Sequence, residues 1–106
     1  MITIEKISDI VNKIVHCYRP DKIILFGSYA KGHANEDSDL DLIIIKNTNL
    51  PKQRRKREIR KYLYGSFVPM DIKVYTPNEY DQDLSDPYSF LYGDIKDSKI
   101  LYEIKD

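Results

Sequence analysis

The spacing of apolar residues near the start of the chain predicts an amphipathic helix. Between residues 4 and 18, apolar side chains recur every three or four positions and form one stripe along a helix. Thr3 can cap the first turn, and Arg19-Pro20 ends the helix because a residue before proline disfavours helical backbone. Cys17 lies three residues after Ile14 of this stripe, and we expect it in the core.

Four short apolar runs predict β-strands. They are residues 22–26 (KIILF), 39–46 (DLDLIIIK), 69–76 (PMDIKVYT) and 99–104 (KILYEI). The second run continues into unbroken aliphatic sequence, which favours a central strand over a solvated edge strand.

Two of these runs place acidic residues on one face. In the second run the period of two puts Asp39 and Asp41 on one face and Leu40 and Leu42 on the other. In the third run Asp71, Lys73 and Tyr75 share a face.

Helical segments are predicted between the strands. They cover residues 28–31, residues 52–64, a stretch that begins at Pro77 and a stretch after Pro87 near residues 88–96. The buried stripe of the second segment is Ile59, Tyr62 and Leu63. Helices that alternate with strands imply an α/β fold, in which a small mixed β-sheet is packed with helices. The length favours a single domain over residues 1–106.

The charges balance overall but are distributed unevenly. The chain has 17 basic and 17 acidic residues, which argues against a protein coated all over for nucleic-acid binding. Residues 52–61 (KQRRKREIRK) are nevertheless strongly basic, and the last third of the chain is acidic. A solvated helix face is the favoured interpretation of the basic run. Contact with RNA or an acidic partner is the alternative, although the run contains no aromatic residue for base stacking.

Cysteine content and hydropathy predict the compartment. The single cysteine excludes an internal disulfide and favours a reducing environment. No apolar run approaches the length of a membrane span, and the first ten residues lack the basic and apolar regions of a secretory signal. We therefore expect a cytoplasmic protein without membrane association.

The acidic residues on the strands predict a metal site. Asp39 and Asp41 point the same way and repel each other, and a divalent cation between them would remove that repulsion. Magnesium takes oxygen ligands and favours one or two carboxylates together with substrate phosphates. Asp71 can supply a third carboxylate, and three carboxylates can hold two metal ions about 4 Å apart. The alternative is that these aspartates are ordinary surface residues.

The turn after the first strand predicts a phosphate-binding segment. Gly27 removes a side chain where the backbone approaches an anion, and Ser28 offers a hydroxyl at the start of a short helix. Lys31 can screen phosphate charge. The spacing of Gly27 and Gly32 matches a P-loop, but His33 and Ala34 replace the lysine and hydroxyl residue that a P-loop requires. A plain strand-to-helix turn is the alternative.

Together these residues resemble the minimal nucleotidyltransferase family of the DNA polymerase β-like superfamily. The signature of that family is Gly-Ser, ten residues, then Asp-x-Asp, and Gly27-Ser28, residues 29–38 and Asp39-Leu40-Asp41 match it. Asp71 matches the third acidic residue of the family, and the resemblance extends over residues 7–103. Lys31 stands where many relatives have arginine.

The resemblance implies a polymerase β-like nucleotidyltransferase fold and a magnesium-dependent transfer. A nucleoside monophosphate, with AMP from ATP favoured, would pass to a hydroxyl while pyrophosphate leaves. Gly27 and Ser28 would hold the triphosphate, Asp39 and Asp41 would bind both metals, and Asp71 would complete the second metal site and help activate the acceptor hydroxyl.

Members of this size resemble the antitoxin of two-gene toxin–antitoxin pairs, whose partner is a HEPN-domain ribonuclease. The acceptor implied is a tyrosine of that ribonuclease toxin. Two alternatives stay open: a binding module that neutralises its partner by occlusion without any transfer, and a nucleotidyltransferase acting on RNA or a small molecule. The sequence also leaves open the nucleotide, the number of nucleotides transferred and the oligomeric state.

Overall fold

The computed structural model describes residues 1–105, which form a four-stranded mixed sheet with helices on both faces. The helices are α1 (Ile4–Tyr18), α2 (Gly27–Lys31), α3 (Lys52–Arg60), α4 (Pro77–Ser85) and α5 (Phe90–Asp94). The strands are β1 (Lys22–Phe26), β2 (Leu40–Ile45), β3 (Met70–Tyr75) and β4 (Lys99–Glu103). The predicted α/β class and the four predicted strands are confirmed, with strand limits that differ by at most one residue.

The sheet has the strand order β3-β2-β1-β4. β1 pairs antiparallel with both β2 and β4, whereas β2 and β3 are parallel. The parallel pair requires a crossover, which α3 provides. β2 is therefore a central strand, as the aliphatic run in its sequence predicted.

The two faces of β2 belong to different apolar clusters. Leu40, Leu42 and Ile44 pack in the larger cluster, which includes residues from α1 and α3. Ile43 and Ile45 point the other way and pack in a smaller cluster with residues from α4 and α5. The predicted alternation is confirmed, and it places Asp41 on the face that α4 and α5 cover.

The ends of α1 follow the sequence signals. The Thr3 side chain accepts a hydrogen bond from the Lys6 N–H at 3.1 Å and caps the first turn. Arg19 adopts a left-handed conformation with φ of 55°, and its N–H donates to the carbonyls of Ile14 and Val15.

Three helical expectations need correction. The segment predicted over residues 52–64 divides into α3 and a 3₁₀ turn at Lys61–Leu63. The last helix begins at Phe90, with Ser89 as its cap, instead of following Pro87 directly. Cys17 is exposed, so its placement in the core is wrong: α1 turns that position away from the sheet.

The basic run also departs from the favoured interpretation, because Arg55 is buried. Its guanidinium donates to the carbonyls of Leu50 (2.7 Å) and Val74 (3.3 Å). It also donates to both carboxylate oxygens of Glu79, the second of them at 3.2 Å. Glu79 in turn completes a capping box with Thr76 at the start of α4. Arg55 therefore joins α3, β3 and α4, and the solvated face of the run consists of its other charged residues.

Within residues 1–105, no helix has both the length and the apolar character needed to cross a membrane.

Candidate active site

The sheet brings two of the predicted aspartates into direct register. Asp41 of β2 pairs with Asp71 of β3 on one side and with Phe26 of β1 on the other. Paired residues on neighbouring strands present their side chains to the same face. Phe26, Asp41 and Asp71 therefore form one row across the sheet, at the end where β1 continues into α2.

Gly27 lies immediately against Asp41. Its φ is 71°, and a Cβ added to Gly27 would lie 2.1 Å from Oδ2 of Asp41. No side chain can occupy that space while the Asp41 carboxylate holds its position. Gly27 thus leaves space for the Asp41 carboxylate, and it also leaves its own backbone accessible to a ligand.

Ser28 follows in the first turn of α2, next to the row of aspartates. α2 is a helix of five residues that ends at Gly32, where φ is 80°. The Ser28 carbonyl accepts the His33 N–H at 2.9 Å, and this bond turns the chain back toward β2. The structure therefore places Gly27 against Asp41 and Ser28 directly after Gly27 in the chain, and their contact with phosphate stays a prediction.

Asp39 is exposed and directly precedes β2. The loop before it is closed by Asn35, whose side-chain oxygen accepts the Asp37 N–H at 2.8 Å. The Leu40 N–H donates to the Pro69 carbonyl at 2.9 Å and joins the starts of β2 and β3. Asp39 consequently lies at the solvent side of the row that Asp41 and Asp71 form.

Asp41 is in an environment that disfavours its charge. Burial raises the pKa of Asp41 above its usual value, and the negative charge of Asp71 raises it further. Lys73 opposes this effect, and Asp39 adds to it. A positive charge close to Asp41 would therefore stabilise the site.

Asp71 is paired with two lysines. Nζ of Lys73 donates to Oδ2 of Asp71 at 2.9 Å, and Nζ of Lys56 lies 3.7 Å from Oδ1. These contacts lower the pKa of Asp71, the hydrogen bond from Lys73 most, although burial opposes them. All three side chains are about two-fifths exposed. Ion pairs of this kind are weak, so Asp71 can exchange its partners.

The donor set fits a hard divalent cation such as magnesium. The three carboxylates offer oxygen ligands from adjacent positions, and the crowded negative charge at Asp41 is what a cation would neutralise. Within residues 1–105, no three carboxylate, imidazole or thiol groups already converge at metal-ligand distances. Asp71 would have to turn from Lys73 toward Asp41 to complete the set.

Lys31 lies at the far end of α2 from Gly27. Its Nζ is 4.0 Å from Oδ1 of Asp94, which links α2 to α5. The predicted role of Lys31 in screening phosphate stays a prediction.

Phe90 borders the site and was not found from the sequence. Its ring centroid is 5.6 Å from that of Phe26 on β1, and Nζ of Lys73 on β3 lies 5.0 Å from the same ring. β2 lies between those two strands, so the ring of Phe90 lies on the face of the sheet that carries Asp41. The ring remains 47% exposed. A large aromatic residue directly after the Ser89 cap was the only sequence signal for it.

Lys73 was predicted on the face of Asp71 but was not assigned to the site, and Lys56 was missed. The period of two already placed Lys73 on the face of Asp71, which is a usable signal. Lys56 approaches from α3, and nothing local in the sequence indicates that contact.

With this geometry established, comparison with known proteins defines the class. The nucleotidyltransferase domain family matches residues 4–102, so the chain belongs to that family. A crystal structure of a "putative nucleotidyltransferase" from Sulfolobus solfataricus has the same fold, with a TM-score of 0.65 at 18% identity. The match covers 93% of this chain and 78% of that one.

Two of the matching proteins come from Methanocaldococcus jannaschii. One named "putative protein adenylyltransferase" is 34% identical over 87 residues, which covers 76% of this chain and 57% of that protein. A second of the same description is 44% identical over 54 residues, covering 51% of this chain and 54% of that protein. The chain thus spans about half the length of the curated relatives it matches.

Proposed function

We propose that the protein is a magnesium-dependent nucleotidyltransferase that transfers AMP from ATP to a hydroxyl group. One observation carries the proposal: the register of β2 and β3 places Asp41 beside Asp71, while Gly27 of the Gly-Ser turn lies against the Asp41 carboxylate. The Gly-Ser turn and the carboxylates therefore meet at one point, and membership of the nucleotidyltransferase family supports this chemistry.

The proposed step is a displacement at phosphorus. The acceptor oxygen forms a bond to the α-phosphorus of ATP, the bond from that phosphorus to the bridging oxygen breaks, and pyrophosphate leaves. Asp71 is ionised at neutral pH and accepts the hydroxyl proton. Gly27 and Ser28 hold the triphosphate, and Asp39 and Asp41 supply metal ligands. Magnesium, when bound, neutralises the charge on the phosphates and on the attacking oxygen.

The acceptor that we propose is a tyrosine of a protein partner. The name of the Methanocaldococcus relatives, protein adenylyltransferase, supports a protein acceptor. The resemblance of the Gly-Ser and Asp-x-Asp motif to the minimal nucleotidyltransferases supports a HEPN-domain ribonuclease as that partner. On this proposal the chain acts as an antitoxin, because adenylylation blocks the RNA site of the toxin.

Transfer of labelled AMP tests the proposal. The protein is incubated with magnesium and ATP labelled on the α-phosphate, with and without the product of a neighbouring gene. Label should appear on the neighbour, and Asp41→Asn should reduce its rate by on the order of a thousandfold or more. The variant should keep or slightly raise its melting temperature, because the folded protein disfavours the Asp41 charge.

The binding-module alternative gives a different result. It predicts no label on any protein, and neutralisation of the neighbour that survives in Asp39→Ala/Asp41→Ala. It also predicts no shift in melting temperature with magnesium and ATP, whereas an enzyme that binds them gains stability by mass action. Label on RNA or on a small molecule without a protein partner would instead support the third class.

A further inference from the structure

A groove runs between α3 and the free edge of β3. Its volume is about 310 Å³, and it is lined by side chains from both elements. Three of the residues are lysines, namely Lys52 and Lys56 from α3 and Lys73 from β3. We call this cavity the β3 groove. The site described above shares two of these lysines through Asp71, but the groove extends beyond it to Tyr75.

The β3 groove has more positive than negative charge, because its three lysines are opposed by Asp71 and, near Tyr75, by Asp83. Asp71 lies at one end and is contacted by Lys56 and Lys73. At the other end Nζ of Lys52 lies 5.3 Å from the ring centroid of Tyr75. The nearby Glu79 gives both carboxylate oxygens to Arg55. Because the chain is neutral overall, this excess is a local feature and predicts an anionic ligand.

The position of the groove separates it from the triphosphate. Gly27 and Ser28 come directly after β1 in the chain. The groove lies along β3 instead, and β2 lies between these two strands. Asp71 forms the border between the groove and the row of aspartates. A ligand in the groove would thus approach Asp71 from the side opposite the nucleotide.

The backbone of β3 offers hydrogen bonds to that ligand. The Tyr75 carbonyl points toward β2, where it accepts the Lys46 N–H at 2.8 Å. Alternate residues of a strand point their N–H and C=O groups to opposite sides, so Ile72 and Val74 point theirs toward the groove that they line. The Val74 carbonyl already accepts a hydrogen bond from Arg55. The remaining groups can pair with an extended peptide, as free sheet edges do.

We propose that the β3 groove binds an acidic, extended segment of the acceptor protein and presents its hydroxyl to Asp71. The proposal rests on the proposed function and adds the chemistry of the acceptor. Peptide is favoured over RNA because the edge of β3 offers backbone pairing, and because Lys52 covers the Tyr75 ring on which a base would stack.

A binding experiment without nucleotide tests this inference. The probe is a fluorescein-labelled random copolymer of glutamate and tyrosine, measured by anisotropy at low ionic strength. Lys52→Ala/Lys56→Ala should weaken binding about fivefold, since each exposed charge contributes modestly. Arg54→Ala/Arg57→Ala is the matched control: it removes the same charge from α3 at exposed residues outside the groove, and should bind like the wild type.

The outcomes separate this inference from the proposed function. Equal loss in both double variants, or binding unchanged in both, overturns the groove as the binding site. A different result would favour RNA over a peptide. The wild type would then bind oligouridylate but not the copolymer, and Lys52→Ala/Lys56→Ala would lose the oligouridylate binding. Transfer of α-labelled AMP is measured separately on the same proteins. If no AMP is transferred but only the lysine variant loses copolymer binding, the transfer chemistry is rejected and the site for an acidic segment is retained.

Discussion

Arg55 and Lys56 are neighbours on α3, and each contacts a carboxylate on another element. Arg55 is closed off: its side chain is 7% exposed, and it donates to two carbonyls as well as to Glu79. Lys56 is open: its side chain is 42% exposed and lies 3.7 Å from Asp71, which Lys73 also contacts. Arg55 donates four side-chain hydrogen bonds to three residues, whereas Lys56 and Asp71 can change partners.

Arg55 and Lys56 show that two positively charged side chains on one helix can have different structural roles. Breaking a buried pair leaves a charge without compensation and costs several kcal/mol, whereas an exposed pair contributes little. We therefore assign Arg55 and Glu79 to the stability of the fold, and place the lysines around Asp71 in the candidate site.

The largest effect on stability is expected for Arg55→Met. It leaves Glu79 without its guanidinium and the Val74 carbonyl without its donor, so the free energy of unfolding should fall by about 3 kcal/mol. Urea denaturation measures this. Glu79→Gln and the double variant complete a cycle, in which the double should cost less than the sum of the singles. A loss below about 1 kcal/mol would remove the distinction between the two pairs.

Acid should weaken the same ion pair, in which Arg55 is buried and Glu79 is 29% exposed. The hydrogen bond from Arg55 lowers the pKa of Glu79 from 4.5 to about 2. A carboxyl with a lowered pKa in the folded state stabilises the fold above its unfolded pKa, and this stabilisation is lost as the pH falls through the folded value. The wild type should thus lose about 2 kcal/mol between pH 4.5 and pH 2 through this group. Urea titrations of wild type and Glu79→Gln should converge across that window, and a constant difference would contradict the assignment.

Gly27→Ala should separate the stability of the fold from the activity of the candidate site around Asp41 and Asp71. The new Cβ must displace the Asp41 carboxylate, and a φ of 71° strains alanine by about 1–2 kcal/mol. We expect loss of AMP transfer together with this modest loss of stability. Gly32→Ala is the matched control, since its φ is 80° but no atom of another element within residues 1–105 lies within 4 Å of the new Cβ. It should lose similar stability and retain transfer, and equal inactivity of both variants would refute the role of the Asp41 contact.

The smallest effect is expected for Lys56→Met. The substitution removes a positive charge from the residue next to Arg55, yet thermal melting should show a change in unfolding free energy below about 0.5 kcal/mol. A loss as large as that of Arg55→Met would mean that Lys56 also holds the fold together.

Local sequence patterns predicted much of the fold. The alternation in β2 assigned Asp41 to one face and Leu42 to the other, and Thr3 marked the start of α1, because period and capping depend on near neighbours. The burial of Arg55 could not be predicted this way. It depends on Glu79, which α4 brings from a distant part of the chain.

The candidate site was predictable in composition and less so in geometry. Spacing and resemblance identified the Gly-Ser turn and the three aspartates. The register that sets Asp41 against Asp71, and the contact of Gly27 with Asp41, arise from strand pairing. Lys56 reaches Asp71 from another helix, so no local pattern could indicate it.

The crossover through α3 also has a consequence for folding cooperativity. β1 and β2 are close in sequence and can pair early, but Asp71 reaches Asp41 only after the crossover has closed and β3 has docked in parallel. Arg55 holds that crossover to β3 through the Val74 carbonyl. A local opening of α3 would release β3 while the β1–β2 hairpin persists. Backbone amides of β3 should then exchange with deuterium sooner than those of β1, and the site would lose its third carboxylate before the domain unfolds.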